Sequence, residues 1–316
     1  MKTLIKPSKL ISGDTIAAIS LSWGGAGLFP DRYAIGKNRL KEIFGLNVIE
    51  TKHALRDPEW IYNNPQARAA DLMDAFNNPD IKGIFSIIGG DDSIRLLPYI
   101  DYDVIRRNPK IFLGFSDTTV THFICLKAGI ATFYGPAILT AFAENVKMHQ
   151  YTIDSLNKNI FTNDIIGVLP QNTEGWTAEF LDWGVTSNQK ISRKLNPPDS
   201  WRFIQGDGKV EGQLIGGCVE VLQFIIGTEI WPELSVWDNT ILFLETSEEG
   251  MPPRQVEWFL RNLGAQKILQ RISGLLFSKP GGHLINSGDF KKYDDCILKV
   301  LKEFDRVCVL LRIVNT

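Results

Sequence analysis

No run of about 18 uninterrupted apolar residues occurs in this chain, which excludes a conventional membrane-spanning helix. The amino-terminal segment MKTLIKPSKLISGDTIAAIS carries early lysines, but Pro7, Ser12, Gly13 and Asp14 break its apolar run, so it does not read as a signal peptide. Cysteine is scarce. Cys125, Cys218, Cys296 and Cys308 form no CxxC pair and are too few to staple 316 residues, which points to reduced thiols in a cytoplasmic protein. Histidine is equally sparse, and His53, His122, His149 and His283 show neither HxxxH nor HExxH spacing, which argues against a zinc site. A basic surplus is missing too: 34 Lys and Arg against 36 Asp and Glu leave a net charge of -2, which argues against a nucleic acid as partner. There is no fixed-period repeat and no low-complexity tract.

What is present is ordinary globular composition, 44% hydrophobic and 22% charged, long enough for one large or two medium domains. Thr15 to Ser22 reads as a buried strand that ends in WGGAG. Asp31 to Phe44 has helical spacing, Gly45 stops it, and LNVIE begins another strand. Pro65 to Asn77 is a second helix, and Ile81 to Ile88 a strand closed by Gly89 and Gly90. A helix near Ser93 to Ile100, a strand Lys110 to Phe115 and a helix Thr118 to Ala128 continue the alternation. The fold class is therefore α/β, with a doubly wound, mostly parallel sheet in a domain over residues 1–165. Residues 166–208, rich in Trp, Pro, Gly, Asn and Asp, form an inter-domain region too long for a bare linker, hence a functional loop or short hairpin. Strand-like VEGQLIGG, TILFLET, ISGLLFS and VCVLLRIV, with helices over Pro253 to Leu263 and Tyr293 to Phe304, predict a second α/β domain over 209–316.

Three segments carry candidate chemistry. In KIFLGFSDTTVTHFICL, Ser116 stands between a buried strand and an amphipathic helix, the context that exposes a nucleophile in hydrolases. The amides of Asp117 and Thr118 then lie at a helix start, where a developing oxyanion is favoured. A plain helix cap is the competing reading of Ser116. Gly89 and Gly90 sit at a strand end, where open α/β sheets bind ligands. Neither GxGxxG nor GxxxxGK[ST] is present, and Asp91 and Asp92 disfavour phosphate; a tight turn is the alternative. Glu245 ends an apolar strand and can orient an imidazole, whereas Glu248 and Glu249 read as solvated loop acids.

Taken together, LGFSDTT at Leu113 to Thr119, IIGGDDSIRLL, GQLIGG at Gly212 to Gly217 and ILFLET at Ile241 to Thr246 resemble the serine LD-carboxypeptidases over nearly the whole chain. WTAEFLDW at Trp176 to Trp183, with PPDSW ending at Trp201, is similar to the tryptophan-bearing loop of the microcin C immunity peptidase branch. The resemblance implies a Ser-Glu-His triad that cleaves an amide beside a free carboxylate. Ser116 then matches the nucleophile, Glu245 the orienting carboxylate, Gly90 and Asp117 the oxyanion hole, and Trp176 and Trp183 the substrate-binding loop.

The same resemblance implies no cofactor or metal, a homodimer, and a small peptide or aminoacyl-nucleotide as substrate. Muropeptide trimming is the rival activity within the family. The histidine departs from the pattern: the family's Gly-His follows the last core strand, and here VCVLLRIVNT reaches that strand at Thr316, so the base is expected beyond it, with His283 a weak substitute. A degenerate member that only binds carboxylate ligands is the alternative this departure raises.

Overall fold

The computed structural model describes residues 3–206, 208–281 and 289–306, and the backbone of 309–313; His283 and Cys308 lie outside the described residues. The chain divides into two compact units. One comprises Thr3–Pro170 with Leu181–Lys194, the other Gln171–Phe180 with Leu195–Thr316, so the Trp-rich segment is shared between them.

The first unit is built on a five-stranded sheet, β1 (Thr15–Ile19), β2 (Asn47–Glu50), β3 (Ile81–Ser86), β4 (Ile111–Gly114) and β5 (Phe133–Tyr134), in the order β2-β1-β3-β4-β5. Every pairing is parallel. Central strands of such sheets are covered on both faces, which is why TIAAI, IKGIFS and IFLG are almost continuously apolar and buried. Helix Pro30–Phe44 ends where Gly45 takes a left-handed φ of 68° and donates to the Leu40 and Lys41 carbonyls. Helix Pro65–Asn77 starts on proline, whose missing N–H costs nothing in a first turn. The helix expected near Ser93 is instead a tight 3-10 segment, Ser93–Tyr99, with Pro98 inside it. Proline cannot donate to a continuing α-helical ladder. Strand order reverses between β1 and β3, and at such a switch point the loops beyond the strand ends diverge and leave a crevice. Ser22–Trp23 and Gly89–Gly90 are the loops at that point.

The second unit carries a sheet of β6 (Arg202–Gln205), β7 (Leu214–Cys218), β8 (Ile241–Glu245), β9 (Gly274–Ser278) and β10 (Val309–Ile313), ordered β6-β10-β9-β8-β7. β7 to β10 are parallel, and β6 pairs antiparallel with β10. Helix Pro253–Ala265 buries Val256, Phe259, Leu260 and Leu263, and helix Phe290–Glu303 buries Tyr293, Ile297, Val300 and Leu301. Both stripes follow the 3.6-residue period. Among the described residues no helix is long and apolar enough to cross a membrane.

Candidate active site

β4 delivers Ser116 to the carboxyl edge of the first sheet. The residue has a φ of 59°, one of few non-glycine positions with that sign, and such a backbone costs on the order of 1–3 kcal/mol unless its surroundings hold it. One 3-10 turn, Ser116–Thr118, leads into helix Thr119–Ala128. The Thr118 hydroxyl donates to the Phe115 carbonyl at 2.8 Å, and the Ser116 N–H donates to the Tyr134 hydroxyl at 2.9 Å. Gly114 is required in this turn: a Cβ there would lie 2.7 Å from Thr118 Oγ1 and 2.9 Å from Ser86 Cβ.

The glycine loop closes against this turn. A Cβ on Gly89 would lie 2.9 Å from Ser116 Cβ, 3.0 Å from Ser116 Oγ and 3.4 Å from the Asp117 nitrogen. Gly90 has a φ of 147° and backs onto Ser22 and Trp23. Asp117 ties the two sides together. Its fully buried carboxylate accepts from the Ser93 N–H at 2.9 Å, and its carbonyl accepts from the Ser93 hydroxyl at 2.9 Å. Burial raises the Asp117 pKa, while hydrogen bonds from Ser22 and Ser93 work in the opposite direction.

Asp92 is buried. The fully buried Arg68 holds it in a fork, at 2.7 and 3.1 Å, and also donates to the Leu21 carbonyl at 2.7 Å. Arg95 adds a contact to Asp92 at 2.9 Å. Asp91 is exposed. The glycine loop is thus anchored by an ion cluster in which Arg68 and Arg95 both meet Asp92.

In the second unit, Glu245 ends β8 beside Cys218, its register partner on β7. The Cys218 thiol is pushed upward in pKa by burial and then by the Glu245 and Glu220 charges. Glu220 accepts from the Cys218 thiol at 3.2 Å, from the Ser247 N–H at 3.0 Å and from the Ser247 hydroxyl at 2.9 Å, which fixes the chain just after Glu245. Glu248 and Glu249 are exposed. Lys279, beyond β9, lies 3.4 Å from Asp199 and 3.9 Å from the Trp176 ring centre. Trp176 exchanges backbone hydrogen bonds with Asn196 and leans on Phe290 at 5.9 Å.

Trp183 belongs to the first unit. The Arg32 guanidinium covers its ring at 4.4 Å, and Phe29 meets it edge-on at 5.7 Å. Arg32 also donates to the Leu139 carbonyl, Asn145 and Gln189, so the platform under Trp183 is itself pinned. Both tryptophans are half-buried rather than free in solvent. Among the described residues, no group of three or more His, Cys, Asp or Glu side chains gathers as a metal site requires.

A family model for the LD-carboxypeptidase N-terminal domain matches residues 16–135, and one for the LD-carboxypeptidase C-terminal domain matches residues 211–311. This chain belongs to the LD-carboxypeptidase family. The microcin C7 self-immunity protein MccF of Escherichia coli is 33% identical to it over 272 residues, spanning 85% of this chain and 76% of that protein. The crystal structure of an MccF-like protein from Streptococcus pneumoniae in complex with AMP matches with a TM-score of 0.85 at 32% identity, covering 96% of this chain and 91% of the other. MccF in complex with glutamyl sulfamoyl guanosine gives 0.81 at 29% identity, covering 98% and 89%.

In this LD-carboxypeptidase family chain, Gly90 follows β3 at the switch point, and Ser116 and Asp117 follow the neighbouring β4 at the carboxyl edge of the same sheet. Glu245 lies at the carboxyl edge of the other sheet, and Trp176 and Trp183 fall in different units. Sequence reasoning passed over Tyr134, Ser93, Arg68 and the role of His122. Their only local signal is residue type, because each acts on a partner from a distant part of the chain or from the next strand.

Proposed function

We propose that this protein is a serine hydrolase that cleaves an amide beside a free carboxylate, with an aminoacyl-nucleotide as its preferred substrate class. Ser116 Oγ attacks the amide carbonyl, and its proton passes to a histidine base oriented by Glu245. The amides of Asp117 and Gly90 receive the oxyanion. Collapse of the tetrahedral adduct transfers the base's proton to the leaving nitrogen, and water then releases the acyl group as a carboxylate. The observation that carries this reading is the left-handed Ser116 at the exit of β4 with Gly89 closed against its side chain. A simple helix cap needs neither feature.

The nucleotide end of the substrate is supported by the AMP and glutamyl sulfamoyl guanosine complexes of the two relatives. Trp183, whose ring is covered by Arg32, is the aromatic group assigned to the base on this reading, and stacking contributes about 1–3 kcal/mol per base. The LD-carboxypeptidase alternative, a murein tetrapeptide, contains no such ring.

The test uses the protein as encoded by its gene. Hydrolysis of an aminoacyl-nucleotide amide and of a murein tetrapeptide is followed side by side, together with labelling by a serine-directed fluorophosphonate. The reading expects labelling, preference for the nucleotide amide, and loss of both activities in Ser116→Ala with substrate affinity kept within about threefold, because the lost interaction exists in the transition state. Preferred cleavage of the tetrapeptide would move the protein to cell-wall turnover. Ligand binding without labelling or hydrolysis would make it a binding protein.

A further inference from the structure

The Ser116 amide has an acceptor supplied from outside its own turn. Strands β4 and β5 pair in register Leu113 to Phe133 and Gly114 to Tyr134, which sets Tyr134 directly beside the entrance to the nucleophile turn. From there its hydroxyl accepts the Ser116 N–H at 2.9 Å, and it lies 3.5 Å from the Thr119 hydroxyl at the start of the following helix. β5 is only two residues long, so this placement depends on how the end of that strand is held.

His122 supplies the hold. It projects from helix Thr119–Ala128, and its Nε2 lies 2.9 Å from the Gly114 carbonyl while its Nδ1 lies 2.7 Å from Thr132 Oγ1. A carbonyl can only accept, so Nε2 carries the hydrogen and Nδ1 accepts from the threonine. Gly114 O also accepts from the Gly135 N–H at 3.0 Å. The imidazole packs 5.2 Å from the Tyr134 ring and 5.0 Å from Phe112. Thr132, two residues before Tyr134, is thereby tied through His122 to the last residue of β4, and Gly135, just after it, is tied there directly.

We propose that Tyr134 is the positioning residue of the nucleophile: its hydroxyl fixes the Ser116 amide, holds the left-handed backbone and so aims Oγ. Tyr134 acts through the Ser116 backbone. The inference rests on Ser116 being the nucleophile. It also has a consequence for the oxyanion. In chymotrypsin-type proteases the nucleophile's own N–H points into the hole. Here that N–H is already bound to Tyr134, which leaves the Asp117 amide and the glycine loop as donors.

Tyr134→Phe keeps the ring and removes the hydroxyl that accepts the Ser116 N–H. Because misplacing a reacting group by about 1 Å costs about 100-fold, the variant is expected to lose about 10- to 100-fold in both kcat and the rate of fluorophosphonate labelling, with KM within about twofold of the parent. A purely structural tyrosine would lower the melting temperature and leave kcat per folded molecule unchanged, so that result overturns the proposal. If the parent labels and Tyr134→Phe labels equally fast, the Tyr134 role fails and the serine reading stands. If neither the parent nor the variant labels or turns over substrate, both fail together. Hydrogen exchange of the Ser116 amide in the unmodified protein gives a check that needs no variant: slow exchange is expected, and exchange at the rate of an unstructured peptide overturns the proposal.

Discussion

Gly89→Ala isolates the contact between the glycine loop and Ser116, the proposed nucleophile. The added methyl would lie 2.9 Å from Ser116 Cβ and 3.0 Å from Ser116 Oγ, whereas carbon atoms rest at about 3.5–4.0 Å. Roughly 0.5–1 Å of separation has to be created. Oγ can rotate away but Cβ cannot, and the serine backbone is held by Tyr134 at 2.9 Å. The loop is therefore the part that retreats, taking the Gly90 amide with it.

Two stability effects of this substitution oppose each other. Overpacking costs about 1–3 kcal/mol. Gly89 does not have a left-handed φ, so alanine fits its backbone and returns about 0.4–1 kcal/mol by stiffening the unfolded chain. The net loss of stability therefore lies between about 0 and about 2.6 kcal/mol. Turnover suffers more: a displacement near 1 Å costs about 100-fold, equal to ~2.7 kcal/mol of transition-state stabilisation. Steady-state kinetics on the amide substrate, paired with urea unfolding, should show kcat reduced about 100-fold with the protein still fully folded. A kcat within twofold of the parent would refute the placement of this loop at the reacting centre.

Two other perturbations test the framework beneath the site. Arg68→Met removes the fork that neutralises the buried Asp92; breaking such a pair costs about 3–5 kcal/mol, read by urea unfolding, and a loss below about 1 kcal/mol would show that Arg95 alone suffices. Burial lowers the His122 pKa from 6.5 to about 4. Between those values the unfolded chain takes up a proton that the native state refuses, so stability falls as pH drops through this window, by about 1.4 kcal/mol per pH unit and about 3 kcal/mol in all. Above pH 6.5 this contribution is complete and flat. In a pH series of urea unfolding, His122→Gln should remove that slope, and an unchanged slope would mean that other groups produce it.

The local patterns of the chain determined much of this protein. Buried apolar runs ending in glycine set the strands, helical spacing bounded by Pro65 and Gly45 set helices, and the strand-turn-helix around Ser116 was legible as a sharp turn. All of these rest on interactions within a few residues, which a sequence displays directly. The support of that turn was decided only by tertiary structure. Tyr134 meets Ser116 because β4 and β5 pair in one particular register. Arg68 meets Asp92 because helix Pro65–Asn77 packs against the segment that follows β3. Trp176 and Trp183, seven positions apart, belong to different units because the chain changes unit between Phe180 and Leu181. Register, packing partners and unit membership depend on which distant surfaces bury each other, and residue spacing along one segment carries no record of that choice.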